Sequence, residues 1–279
     1  MNKLEIYGED LIIGEFVASN FNCYLASFES DGVRDEDTGI AVETIEEFYA
    51  DNPVPVYLGQ KYSEKLHPVA VLTKDSCKTT EDYFSEYECR AIIRLVTGQR
   101  GYQWMRIIPR DIGEDLWYKV RVTNVGYQKV NGLVAGIKLE MECDSMFAWS
   151  AENRVIINAA ANTPFTVYNN SDDLYVYTYP YVEIVPKASG DLIVTNSDDN
   201  NWEVRLQGVR ADETIRYDCK HEIIDGSRND SGTAMTMFLD YSNCHFFRLK
   251  PERNTFTSNL AATFTWIYRV PRKVAFVTI

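Results

Sequence analysis

Residues 117–143 read WYKVRVTNVGYQKVNGLVAGIKLEMEC, and no other stretch constrains the fold so tightly. Two runs that alternate between apolar and polar residues, 117–130 and 132–143, meet at Asn131-Gly132. A period of two is the pattern of a strand with one buried face. Both turn residues tolerate positive φ, so the pair predicts a type I′ turn, whose twist matches that of two antiparallel strands. The expectation is a long β-hairpin with Glu140 and Glu142 on one face.

Similar runs occur at LEIYG (4–8), NCYLASFE (22–29) and PVAVLTK (68–74), separated by Gly, Asn and Asp. One segment breaks the pattern. In TTEDYFSEYECRAIIRLVTG (79–98), Phe84, Tyr87, Ala91 and Leu95 recur at helical spacing, with Tyr83, Glu88 and Ile92 close to that face. Thr79 with Asp82 resembles a capping box, and Gly98 fits the C′ position. This predicts an amphipathic helix covering one face of a sheet, with a partner-binding helix as the alternative.

The texture changes after Trp149. Short strands then follow with turn signals every ~8–12 residues, the spacing of a β-sandwich. The candidates are 154–159, 164–169, 181–187, 191–196, 202–208, 213–219, 234–241, 245–250, 254–259 and 262–272. With 279 residues, the chain exceeds the ~250 at which single cores stop growing. The predicted fold is therefore mainly β. A β-barrel or sandwich-like domain with one α-helix spans 1–149, and a second β-sandwich domain spans 150–279. The acidic loops 30–39, 169–174, 196–201 and 226–233 match no calcium-loop pattern and read as solvated turns.

No uncharged apolar run reaches the ~20 residues of a bilayer-spanning helix, so no membrane insertion is expected. The start, MNKLEIYGEDLIIGEF, is interrupted by Glu5, Glu9, Asp10 and Glu15 and does not read as a signal peptide. The expectation is folding in a cytosol, with the six scattered cysteines reduced and mostly buried. A net charge of −13 opposes binding to DNA phosphates, yet an acidic wall lets DNA slide past.

Candidate chemistry is sparse. The histidines are His67, His221 and His245. Cys219, His221, Cys244 and His245 invite a zinc reading. On strands, however, Cys219 and His221 would share a face while Cys244 and His245 would oppose, leaving a structural site one ligand short. No GxSxG, HExxH or Gly-rich phosphate loop is present. Nothing selects Glu140 and Glu142 as a glycosidase pair, and Cys143 reads as a small apolar residue at a strand end. No catalytic, cofactor or metal residue is assigned, and no enzyme is expected.

In order and spacing, several segments resemble the phage distal tail protein family. They are NPVPVYLGQKYSEKLHPVAVLTK (52–74), RAIIRLVTGQRGYQWMRIIPRD (90–111), LWYKVRVTNVGYQKVNGLVAGIKLEMECDSMFAWS (116–150) and NNSDDLYVYTYPYVEIVPKASGDLIVTN (169–196). Met146 stands where family members often have Pro. In LKPERNTFT (249–257) only Asn254 of the family's Gly-x-Asn turn is present. The resemblance implies a galectin-like second domain and a first domain that forms a ring, commonly a homohexamer. That ring would join the tail tube to the baseplate or tail tip and let DNA cross its lumen without specific binding. Implied partners are the tail tube protein, the tail-associated hub protein and receptor-binding or fibre proteins, in a virion tail assembled in the bacterial cytoplasm. Residues 141–156 would then be the seam between domains, with Phe147 and Trp149 packing there. A lectin-like module is the competing reading. Trp202 and Trp266 are its possible sugar platforms, although the His-x-Asn-Pro-Arg signature of galectins is absent and strand aromatics are more often core.

Overall fold

The computed structural model describes residues 4–5, 10–26, 42–49, 54–62, 65–75, 82–108, 115–227 and 245–273. The chain divides into two compact units, Met1–Trp149 with Arg272–Ile279 and Ser150–Pro271. It is mainly β, with one α-helix among the described residues.

The first unit contains β1 (Leu4–Glu5), β2 (Asp10–Ile13), β3 (Phe16–Val17), β4 (Cys23–Leu25), β5 (Val42–Glu47), β6 (Val56–Tyr62), β7 (Pro68–Lys74), α1 (Glu86–Thr97), β8 (Gln103–Ile108), β9 (Trp117–Val130), β10 (Leu133–Cys143) and β11 (Ala148–Trp149). Its main sheet runs β1-β7-β10-β9-β8-β2-β3, with β4 also on β7 and β11 on β9. β7 is buried almost throughout, as its continuous apolar run PVAVLTK requires of a strand covered on both faces. Leu11, Phe16, Leu72, Met105, Val120 and Leu139 meet in one core closed by Ile92 and Val96 of α1. The expected hairpin is present: Val130 pairs with Leu133, and Asn131 and Gly132 have φ of 51° and 85°.

The helix differs from expectation at both ends. It starts at Glu86, not near Thr79, which lies outside the described residues. The capping box is Ser85 with Glu88: the Ser85 N–H donates to Glu88 Oε2 at 2.9 Å and the Glu88 N–H to Ser85 Oγ at 3.3 Å. Phe84 belongs to a β-bridge with Val134, and that bridge sets the helix's phase. The buried face is therefore Cys89, Ile92 and Val96, while Tyr87 is 82% exposed. Gly98 is right-handed, with φ −75°, so it does not supply a left-handed stop. Glycine fits because a Cβ there would meet the Arg94 carbonyl oxygen at 2.5 Å.

The second unit is a β-sandwich. Its strands are β12 (Asn153–Ala159), β13 (Pro164–Asn169), β14 (Tyr181–Pro186), β15 (Gly190–Asn196), β16 (Trp202–Val209), β17 (Ile215–Asp218), β18 (Ile223–Gly226), β19 (Glu252–Ser258) and β20 (Ala262–Tyr268). One sheet runs β12-β20-β14-β17-β18, the other β13-β19-β15-β16. Their inner faces share one core, in which Phe165 meets Phe264 at 5.1 Å and Phe256 meets Trp266 at 4.8 Å. The two ends of this unit clasp each other. The Ser150 N–H donates to Val270 O at 2.9 Å, the Val270 N–H to Ser150 Oγ at 3.1 Å, and Arg269 Nη1 to Ser150 O at 2.9 Å.

Residues 245–250, expected as a strand, form only an isolated bridge between Leu249 and Thr178, although Phe247 and Leu249 are fully buried. The expected strand 234–241 and the loop 30–39 lie outside the described residues. The loops 169–174 and 196–201 are not simply solvated. Asn169, Ser171, Asp173, Asn196 and Asp199 are buried and fold the backbone through their own side chains. Asn169 Oδ1 accepts from the Ser171 N–H, Ser171 Oγ from the Asp173 N–H, and Asp173 Oδ1 from the Tyr175 N–H, all at 3.1–3.2 Å.

Candidate functional site

The residues with the most chemical potential in the sequence are not brought together. β17 ends at Asp218, so Cys219 and His221 lie in a turn and do not share a strand face as expected. Cys219 is buried, whereas His221 is exposed and its Nδ1 lies 2.7 Å from Asp218 Oδ2. His245 packs flat on Trp202 at 3.9 Å with Nδ1 2.9 Å from Glu203 O, and Cys244 lies outside the described residues. Among the described residues, no group of three or more His, Cys, Asp or Glu side chains could hold a metal ion. No described helix is long and apolar enough to cross a membrane.

Glu140 and Glu142 serve the β9–β10 hairpin. Glu140 Oε2 accepts from Asn124 Nδ2 at 3.1 Å. Glu142 Oε1 accepts from the Tyr102 hydroxyl at 2.6 Å and Lys65 Nζ at 3.0 Å, and these hydrogen bonds hold its carboxyl below the usual carboxylate value. Burial pushes the Cys143 and Cys219 thiols well up, and that of Cys23 to about 12, so none is a ready nucleophile. In the 141–156 segment, Met141, Cys143 and Ala148 join the first unit's core. Trp149 packs edge-on to Trp104 at 6.5 Å, and Trp104 edge-on to Trp117 at 6.4 Å.

Neither suggested sugar platform is open. Trp266 is fully buried. On Trp202, His245 stacks at 3.9 Å and the Arg248 guanidinium lies 3.5 Å from the ring. Two planar groups cannot share one face at those separations, so both faces of the indole are taken. Arg248 also grips Asp199 through Nε at 2.7 Å and Nη2 at 3.3 Å, and covers the Tyr177 ring at 4.3 Å. The Tyr177 hydroxyl donates to Asp199 at 3.0 Å, which, with partial burial, raises its pKa. This cluster, missed from the sequence because it lies in apparently solvated loops, ties loops 174–179 and 196–201 to the irregular 245–250 segment.

Apolar surface is the more informative feature of the first unit. Among the described residues, β5 and β6 pair only with each other, and the hairpin exposes Phe48 (73%), Tyr49, Val54, Tyr57 and Leu58. Large apolar side chains this exposed often mark a binding surface. On α1, exposed Tyr87 and half-buried Ala91 and Leu95 lie one turn apart, with Leu95 also touching the core, and exposed Arg90 and Arg94 flank them. The sequence periodicity had placed Tyr87 on the packed face, where the structure instead leaves it exposed.

The first unit is thus a β structure with one described helix, and the second is a β-sandwich. Residues 6–145 match the phage tail protein N-terminal domain family and residues 147–268 the phage tail C-terminal domain. The chain belongs to this phage tail protein family. No curated protein matches the sequence. Among solved structures, it is similar to the SPP1 Dit protein, described as a paradigm of the hub adsorption apparatus in phages infecting Gram-positive hosts. The TM-score is 0.63 at 13% identity, over 93% of this chain and 98% of that one. A chain of the phage p2 baseplate in its activated conformation with Sr gives 0.53 at 11% identity, over 96% and 99%. The calcium form of that baseplate gives 0.51 at 11% identity, over 93% and 94%. These likenesses establish a shared fold.

Proposed function

We propose that this phage tail protein is a structural hub, not an enzyme. Copies of its first unit close into a ring, a homohexamer, that joins the tail tube to the baseplate or tail tip. DNA crosses the lumen without specific binding, and the second unit offers attachment for receptor-binding or fibre proteins. The tail tube protein and the tail-associated hub protein are the axial neighbours, and the location is the virion tail. The observation that carries this reading is the two consecutive tail-protein family matches on a fold shared with Dit from end to end. The net charge of −13 supports it, because phosphate is repelled by an acidic wall. The occupied faces of Trp202 and the burial of Trp266 count against the lectin-like alternative at those two positions.

Light scattering and negative-stain microscopy of the purified chain test the proposal. The expected result is a ring of about six copies, as closed point-group assembly allows, with a hole wide enough for duplex DNA. A strict monomer at every concentration overturns it.

A further inference from the structure

The ring reading, on which this inference rests, requires each copy to carry two different and complementary patches, because a ring closes through heterologous contacts. We propose that these patches are the β5–β6 hairpin and the outer face of α1, with the hairpin of one copy lying along the helix of the next.

The hairpin needs a partner. Among the described residues it is a two-stranded sheet with no third strand, and its described side chains on both faces are largely exposed. Such a hairpin is marginal in water by itself. Its apolar side chains, chiefly Phe48, Tyr57 and Leu58, are 58–73% exposed. Glu43, Glu46 and Glu47 are exposed on β5, and no described side chain of the hairpin is cationic. The backbone of β6 places Lys61 opposite Glu43, which leaves the hairpin acidic overall.

The helix face is its complement. Exposed Tyr87 and half-buried Ala91 and Leu95, the last resting partly on the core, make an apolar strip about 12 Å long at 1.5 Å per residue. Small Ala91 leaves a saddle between two larger side chains, where a side chain such as Leu58 or Tyr57 can seat. Arg90 and Arg94 lie beside the strip, exposed and one turn apart. Neither forms an ion pair with a described residue, so both are available to carboxylates.

Charge decides which patches meet. Hairpin against hairpin sets glutamates against glutamates, and helix against helix sets arginines against arginines. Like charges across an interface cost affinity and suppress the wrong pairing. Only the hairpin-to-helix contact matches apolar surface and opposite charge together. It is also heterologous, as a ring requires, so the occupant is a second copy of this chain.

The test is charge reversal on the full chain, read by native mass spectrometry and sedimentation. One variant carries Arg90→Glu with Arg94→Glu, a second carries Glu43→Arg, Glu46→Arg and Glu47→Arg, and a third carries all five changes. Circular dichroism confirms that each folds, since every altered side chain is exposed. The expected result is that each partial reversal weakens ring assembly about tenfold or more, whereas the five-fold variant regains it. Rings that survive both partial reversals overturn this assignment while leaving the ring reading standing. Loss without rescue also overturns it, because it shows that the two patches do not face each other. A wild-type chain that never assembles removes the ring reading itself. As a second readout, a Leu58→Cys, Leu95→Cys chain should form disulfide-linked ladders between copies, and a link confined within one chain would overturn the inference.

Discussion

The two hairpins of the first unit make an instructive pair. β9–β10 and β5–β6 are both rich in β-branched and aromatic residues, yet their surroundings differ. β10 pairs with β7 on its other side and β9 with β8, so the base of this hairpin lies inside a sheet and contributes Tyr118, Val120, Ile137 and Leu139 to the core. The β5–β6 hairpin has no flanking strand among the described residues and leaves its apolar residues exposed. Backbone pairing alone does not stabilise a hairpin; a third strand or a packed face does. The first hairpin has both within its own chain, and the second is left to find them elsewhere.

The largest test of this contrast replaces an apolar side chain in each hairpin. Leu139→Ala should cost about 2–5 kcal/mol, because Leu139 is fully buried and a cavity is left behind. Leu58→Ala should stay within about 0.5 kcal/mol for the isolated chain. Urea unfolding of both variants checks this, and equal costs would mean that the β5–β6 hairpin is packed after all. In the second unit, Asp199→Ala should cost about 2 kcal/mol, since it strands a half-buried Arg248 and the Tyr177 hydroxyl. Thermal melting measures that loss.

Smaller effects sharpen the picture. Gly132→Ala should destabilise by about 1 kcal/mol, because its φ of 85° suits glycine. Glu252→Gly should act in the opposite sense and stabilise by roughly 0.5–1 kcal/mol. Glu252 holds φ of 71° two residues before Asn254, whose Nδ2 pins the turn through Lys250 O at 2.8 Å and Glu252 O at 3.3 Å. Glu142 predicts the mildest change. Its folded carboxyl titrates below the usual value, so its contribution is present above that value and fades as pH falls through the lowered one. Glu142→Gln should flatten that acid-side slope in urea midpoints measured against pH.

Much of the fold was legible because alternation and turn chemistry agreed. PVAVLTK, the run 117–130 and PFTVYN form strands with the bounds the pattern gives, and Asn131-Gly132 turns as its positive-φ tolerance implies. The helix was legible as an element and partly in phase: Phe84, Ile92 and Leu95 reach the core as expected, but Tyr87 is exposed. Spacing could not show the Phe84–Val134 bridge just before the helix, which is a tertiary contact. Residues 245–250 show the reverse problem. Phe247 and Leu249 alternate because both are buried, but a ladder also needs a neighbouring strand. The Asp199–Arg248 cluster and the buried asparagines were hidden because polar loop residues look alike whether they face water or backbone. The β5–β6 hairpin escaped notice among prolines and glutamates, which weaken a strand pattern.

The clasp at Ser150 and Val270 makes the second unit portable. Its chain enters and leaves through neighbouring residues bonded to each other, so the unit is an insert whose ends already meet. A sandwich of this kind can be cut out and replaced by another without lengthening the host chain. An evolving lineage, or an engineer, could then exchange the second unit as one piece.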